Sequence, residues 1–139
     1  MRKIIEENDH YAITVNIAKN RIIIKPIGFW RSVKVVPNYL SLITNTIDTV
    51  LRKKFMVIFE ASEMMTHPQE VQEHIHAVGI KKILDKSPSA VVVVVPKDGI
   101  ALMQAQFLNK QTGLPMKAFS SNAEAEAFLD AYAEKHHLI

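Results

Sequence analysis

Hydrophobic and polar positions alternate with a period of two near the start of the chain, and this pattern indicates a β-hairpin. Residues 11–17 and 21–27 are both rich in β-branched side chains, which favour extended backbone. The short connection at Lys19 and Asn20 predicts that the two strands pair antiparallel. Pro26 has no N–H to donate to a sheet, so the second strand should end there or lie at an edge.

Three later segments predict further strands. Residues 55–59 and 90–95 are unbroken apolar runs, and five of the six residues in the second run are valine. A strand that is apolar on both faces is typical of the middle of a parallel sheet with cover on both sides. Residues 116–119 predict a last short strand.

Segments with helical spacing separate these strands. The first predicted helix follows Pro37, and the second begins near Pro68 and should end at Gly79. A third should end at Gly113. Ser121, with Glu124 three residues later, has the spacing of a capping box for the last helix. The apolar stripes of the four helices are Leu40, Ile43, Ile47, Val50 and Leu51; Val71, Ile75 and Val78; Ile100, Met103 and Phe107; and Ala125, Phe128, Leu129 and Tyr132.

This order of elements predicts an α/β fold. We expect a mostly parallel central sheet of about five strands, with an antiparallel first strand and about four helices. The length of 139 residues fits one domain spanning residues 1–139.

The amino-acid composition limits the cellular compartment in which the chain is expected and the kinds of chemical site that it can form. The chain has no cysteine, which excludes disulfides, thiolate metal sites and cysteine nucleophiles. The longest apolar run, residues 90–95, is far shorter than the roughly 20 residues that span a bilayer. The first seven residues do not resemble a signal peptide. We therefore expect a soluble, cytoplasmic protein that does not cross a membrane.

Basic residues are concentrated between Lys19 and Lys54, where eight lysines and arginines accompany one acidic residue. Such a segment can attract an anionic partner. The alternative interpretation is that these charges are solvated strand edges and helix ends. No nucleic-acid-binding motif accompanies them, so we expect no nucleic acid partner.

No catalytic or cofactor motif is recognisable. The four glycines lie near element ends and do not form a phosphate-binding loop, and no nucleophile elbow is present. His74 and His76 are two residues apart, whereas a helical metal pair needs a spacing of three or four, and His67 adds no complete ligand set. We therefore expect surface histidines, no cofactor, no metal and no enzymatic activity.

Polar side chains follow the strand at 55–59, in the loop that leads to the second helix. Glu60, Ser62, Glu63 and Thr66 lie there, at the edge where open α/β sheets place their functional residues. A hydroxyl at this position is either a helix cap or a site of regulatory phosphorylation. These four residues are the candidate regulatory or partner-binding loop.

A second candidate surface combines aromatic, basic and methionine side chains. Phe29 and Trp30 follow the hairpin beside Arg31, and Met64 and Met65 lie in the loop just described. Aromatic residues next to bases contact lipid headgroups or a protein partner in some proteins, and methionine adapts to irregular surfaces. The alternative interpretation is that the aromatic pair covers the end of the core.

The opening hairpin, the helix after Pro37 and the strands at 57–62 and 90–95 resemble the STAS fold. The segment Met116-Lys-Ala-Phe-Ser-Ser-Asn-Ala-Glu-Ala-Glu-Ala-Phe-Leu129 resembles the last strand and helix of SpoIIAA-like (anti-sigma-factor-antagonist-like) proteins. The resemblance covers roughly residues 11 to 133 and rests on hydrophobic patterns.

This resemblance implies a non-enzymatic regulatory or protein-interaction module of a bacterium, whose partner is a regulator or a kinase. Family members are switched by phosphorylation of a serine in an Asp-Ser motif before the second helix. This chain has Glu63-Met-Met-Thr66-His-Pro68 there instead, so Thr66 is only an approximate match. The SpoIIAA-like branch also resembles lipid-binding CRAL-TRIO domains, which implies a small apolar ligand as the alternative. A homodimer is a further expectation, because small domains of this kind often pair through sheet edges or helix faces.

Overall fold

The structure is a computed structural model that describes residues 2–94 and 117–138. The strands are β1 (Arg2–Glu7), β2 (Tyr11–Asn16), β3 (Arg21–Pro26), β4 (Met56–Glu60), β5 (Ala90–Val94) and β6 (Lys117–Phe119). The helices are a 3-10 turn (Val33–Val35), α1 (Tyr39–Thr49), α2 (Gln69–Val71), a π-helical turn (Gln72–His76), α3 (Ala77–Asp85) and α4 (Asn122–Lys135).

The six strands form one sheet in the order β1-β2-β3-β4-β5-β6. β2 is antiparallel to both β1 and β3, and the pairs from β3 to β6 are parallel. The predicted α/β class, the hairpin and the mostly parallel sheet are confirmed. The expected number of about five strands is too low, because the sequence pattern did not reveal β1. Four of its six side chains are exposed, so it has no clear apolar face.

The sheet is covered on both faces, as the apolar run at 90–95 predicted. Alternate residues of β3 point to opposite sides: Ile22 and Ile24 belong to the core beneath α1 and α3, whereas Ile23 belongs to the core beneath α4. The first core also contains Tyr11, Ile13 and Val15 of β2 together with Trp30, Tyr39, Ile43, Val57 and Phe59. The second contains Met56, Ile58, Val92, Val94, Ala125, Leu129 and Ala133.

The second predicted helix does not end at Gly79. α2, the π-helical turn and α3 follow one another without a break, and Gly79 is buried inside α3. A Cβ at Gly79 would lie 3.0 Å from Leu40 Cδ2 of α1. The glycine therefore serves the close approach of two helices and is not a C-terminal cap.

The predicted N-cap of α4 is confirmed, since the Ser121 hydroxyl accepts a hydrogen bond from the Glu124 N–H at 3.2 Å. The Glu124 carboxylate completes a different contact, accepting from the Ser120 hydroxyl at 2.9 Å. The third predicted helix, with Ile100, Met103 and Phe107 and its end at Gly113, lies outside the described residues. No helix within 2–94 or 117–138 is long and apolar enough to cross a membrane.

A buried arginine attaches α4 to the sheet. Arg21 of β3 has no exposed surface, and its guanidinium is paired with Glu126 and with Asp130, the latter at 3.0 Å. Arg2 and Lys19 bind the same two carboxylates from the surface, at 2.8 and 3.0 Å. The expectation that the basic segment is wholly solvated is therefore wrong for Arg21. Burying this charge requires the two carboxylates, because an unpaired buried guanidinium is very costly.

Candidate functional site

Two loops meet at the carboxyl ends of β3 and β4 and are joined through their backbones. The Gly28 N–H donates to the Glu63 carbonyl at 2.9 Å, and the Met65 N–H donates to the Gly28 carbonyl at 3.0 Å. Gly28 has a φ of +69°, a conformation that side chains with a Cβ rarely adopt. We call residues 27–32 the first loop and residues 61–68 the second loop.

Beneath these loops, His67 and His76 form a buried hydrogen-bonded pair. Each of the two residues is 2% exposed, and His67 Nδ1 lies 2.8 Å from His76 Nε2. His67 Nε2 lies 3.0 Å from the carbonyl oxygen of Gly28. The pair therefore connects the second loop to the first loop on one side and to the π-helical turn on the other.

The partners of the pair define its tautomers. Because a carbonyl oxygen only accepts, His67 Nε2 must carry a proton and donate to Gly28. In a neutral His67, Nδ1 is then the acceptor, so His76 Nε2 carries a proton and donates to it. His76 Nδ1 is left as a buried acceptor with no hydrogen-bond donor among the described residues. With one proton on each ring, a neutral pair therefore forms both the hydrogen bond from His67 to Gly28 and the hydrogen bond from His76 to His67.

Burial disfavours the charged form of both rings. The pKa of His76 is lowered to about 3, mainly because the buried charge would lose its hydration and secondarily because of the neighbouring His67. The pKa of His67 is also lowered by burial, against the opposing effect of its hydrogen bond to Gly28. The expectation of surface histidines is therefore wrong for His67 and His76 and correct for His74, which is exposed.

Aromatic rings enclose the pair. The Trp30 indole stacks on both imidazoles, with ring centroids 4.9 Å from His67 and 5.2 Å from His76 and interplanar angles of 17° and 23°. Phe59 presents an edge to His76 at 5.9 Å, and Phe29 lies edge-on to His67 at 6.3 Å. Trp30 is wholly buried and its Nε1–H donates to the His10 carbonyl at 2.9 Å. The interpretation of Trp30 as a residue of the core is confirmed.

The candidate surface residues divide between the core and solvent. Trp30 and Met64 are buried, so neither offers surface to a partner in this structure. Phe29 and Met65, each 51% exposed, directly follow Gly28 and Met64, the two residues whose backbones are bridged. Arg31 is also exposed. The exposed apolar surface of the two loops therefore consists of one aromatic ring and one methionine on fixed backbone.

Charged residues lie beside this apolar pair. Lys25, at the end of β3, forms an ion pair with Glu63 and lies 3.6 Å from Glu60. The pKa of Lys25 is raised, chiefly by its hydrogen bond to Glu63, which outweighs the effect of partial burial. The two predicted carboxylates therefore meet at one lysine and link β3, β4 and the second loop.

The two hydroxyls of the second loop differ in accessibility. Ser62 and Thr66 are both partly exposed residues, but the Thr66 Oγ1 atom itself is buried and has no hydrogen-bond partner within the part of the chain that the structure describes. Neither hydroxyl caps α2, whose N-cap residue is Pro68. A kinase could reach Thr66 only if the second loop opened, so Ser62 is the more accessible candidate.

The sequence matches no protein-family model and none of the curated proteins with which it was compared. Across residues 2–94 and 117–138, no group of three or more histidine, aspartate or glutamate side chains is placed to hold a metal ion. The defining features of the site are therefore the buried histidine pair, the exposed Phe29 and Met65 above it, and the charged cluster around Lys25.

Proposed function

We propose that this chain is a non-enzymatic, STAS-like regulatory module that binds a partner protein through the surface of its two bridged loops. The observation that carries the proposal is the fixed exposure of Phe29 and Met65 on backbone held by the Gly28–Met64 bridge. A preformed loop loses little conformational entropy on binding, which favours association.

The composition of this surface fits a protein partner. Interface centres are enriched in aromatic residues and methionine, and their rims are polar. Phe29 and Met65 supply such a centre, and the Lys25–Glu60–Glu63 cluster supplies charged groups beside it. An isolated exposed apolar side chain is ordinary in a folded protein. Here, however, two of them lie on neighbouring loops that are joined by backbone hydrogen bonds.

The strand order supports a STAS-like module. The sheet begins antiparallel and then adds parallel strands in sequence order, in keeping with the resemblance described above. In that family the switch lies on the loop before the second helix, which here is the second loop. We assign the regulatory hydroxyl to Ser62, because a phosphate there would add about −1.5 to −2 charge beside Glu60 and Glu63. The repulsion would displace a docked partner.

The alternative, binding of a lipid or another small apolar molecule, has less support. Trp30 and Met64 pack in the core, so Phe29, Arg31 and Met65 are the residues left to contact such a ligand. The cavity beside His76 has a volume of about 10 Å³, which is barely enough for one water molecule. Surface binding to a membrane would be detected as cosedimentation with anionic vesicles.

Affinity capture from the cells that produce this protein tests the proposal. Four baits are compared by quantitative mass spectrometry: the wild type, Phe29→Ser, Met65→Ser and the control Ile17→Ser. Ile17 is 39% exposed in the turn between β2 and β3, away from the two loops. We expect a protein that the wild type and the control retain and that both loop variants lose. Recovery of the same proteins by all four baits would refute the proposed surface.

A further inference from the structure

β1 is the outer strand of the sheet in the part of the chain that the structure describes, and one of its edges has no strand partner there. It pairs with β2 on one side, and no strand among the described residues lies on its other side. Such an edge presents backbone N–H and C=O groups that can pair with another strand. Ile4 in the middle of β1 is 59% exposed, the largest value among the exposed large apolar side chains of the described residues.

The charges of β1 are segregated along the strand. Arg2 and Lys3 occupy its first half, and Glu6 and Glu7 occupy its last half. Charges on an edge strand usually oppose pairing, because an incoming strand meets unpaired or like charges. An antiparallel copy of this strand reverses the order, so each basic half would meet an acidic half.

A β-bulge brings these opposite charges to matching faces. The register of β1 against β2 shifts between Ile4 and Glu6. As a result, Arg2 and Glu7 lie on the same face of the sheet, because their partners in β2 are Asn16 and Ala12. Lys3 and Glu6 lie together on the other face, because their partners are Val15 and Ile13. In a strand without the bulge, each of these charged pairs would be split between the two faces.

We propose that a second copy of this chain docks antiparallel against β1, with Arg2 opposite Glu7 and Lys3 opposite Glu6 on each side of a two-fold axis. The two sheets then form one continuous twelve-stranded sheet. Directly opposite side chains of an antiparallel pair share a face, so the bulge makes all four charge pairs compatible with this register. The exposed Ile4 lies at the centre of the interface. This contact uses a different edge of the molecule from the loops at the carboxyl ends of β3 and β4.

Two charge reversals test the register. Neither Lys3 nor Glu6 forms an ion pair among the described residues, so replacing either should leave the folded protomer intact. Lys3→Glu creates two acid–acid pairs across the two-fold axis, and Glu6→Lys creates two base–base pairs. An equimolar mixture of the two variants restores opposite charges at both positions.

Analytical ultracentrifugation of the full chain with a C-terminal tag measures the outcome. We expect the wild type to dimerise and each variant alone to dimerise at least about tenfold more weakly. The mixture should form a heterodimer with near-wild-type affinity, and circular dichroism should show that each variant is folded. The proposal is overturned if the wild type stays monomeric up to about 1 mM, if the single variants dimerise as the wild type does, or if mixing restores nothing.

Discussion

Mild acid should destabilise this fold through His76. An unfolded histidine has a pKa of about 6.5, whereas burial lowers the pKa of His76 to about 3. As the pH falls below about 6.5, the unfolded chain takes up a proton that the folded protein does not. Stability is therefore complete above that pH and is lost progressively as the pH falls toward 3.

The size of this loss follows from the pKa difference. Each proton bound only by the unfolded state costs about 1.4 kcal/mol of stability per pH unit. Between pH 7.5 and 5, His76 alone should therefore remove about 2 kcal/mol, and His67, whose pKa is lowered in the same direction, adds to this. A domain is typically stable by about 5–15 kcal/mol, so this effect is large enough to measure.

Urea unfolding between these pH values provides the assay. His76→Leu should be less stable at every pH, because His67 Nδ1 loses its donor, but its stability should fall by about 2 kcal/mol less across the range. The matched control is His74→Leu, which removes an exposed histidine from the same π-helical turn and should keep the wild-type pH dependence. Equal pH dependence of the wild type and His76→Leu would refute the reasoning.

Two further predictions concern helix docking. Glu126→Ala should destabilise the fold by about 1.5–3 kcal/mol, because the buried Arg21 loses one of its two carboxylates. Glu134→Ala, at an exposed position of α4, should change stability by less than about 0.5 kcal/mol, and similar unfolding curves for the two variants would contradict this account. Gly79→Ala should gain helix propensity of about 1 kcal/mol but crowd Leu40. Gly79→Ala should therefore stabilise the fold more in a Leu40→Ala background than in the wild type. Additive changes in the free energy of unfolding across the double-mutant cycle would show that the added methyl group does not crowd Leu40.

Much of the fold could be predicted because each element carries its own apolar pattern. The valine run of β5, the alternating pattern of β2 and the isoleucine run of β3 could be recognised locally, since their burial depends on hydrophobic side chains within a few residues. β1 could not, because it is an edge strand with mostly exposed side chains and is held by backbone pairing to β2.

The candidate site was only partly predictable, for a related physical reason. The second loop was identified from its position after a buried strand, but the pairing of His67 with His76 depends on how the π-helical turn packs under that loop. One signal was present in the sequence. His76 lies four residues before Ile80 and seven before Ile83, so extending the helix past Gly79 would have placed it on the buried stripe.

Arg21 shows that the burial of a charged residue is also difficult to predict from the local sequence. Its partners Glu126 and Asp130 are more than a hundred residues away in the chain, so its burial depends on the docking of α4. The local sequence around Arg21 shows only a basic residue at the start of a strand. A count of charges along the segment therefore suggests a solvated surface where the fold has a buried ion pair.

The proposed function depends on the fixed geometry of the two loops, which the neutral histidine pair holds together. Long-range ¹H–¹⁵N spectra of the histidine rings test this most directly, with assignments from single-histidine variants. We predict that His67 and His76 each carry one proton, on Nε2, at neutral pH. His76 should remain neutral at about pH 5.5, where an ordinary histidine is mostly charged, and the pKa of His67 should lie below the ordinary histidine value. Titration of either ring near pH 6.5, or a proton on Nδ1 of the neutral His67, would contradict the account.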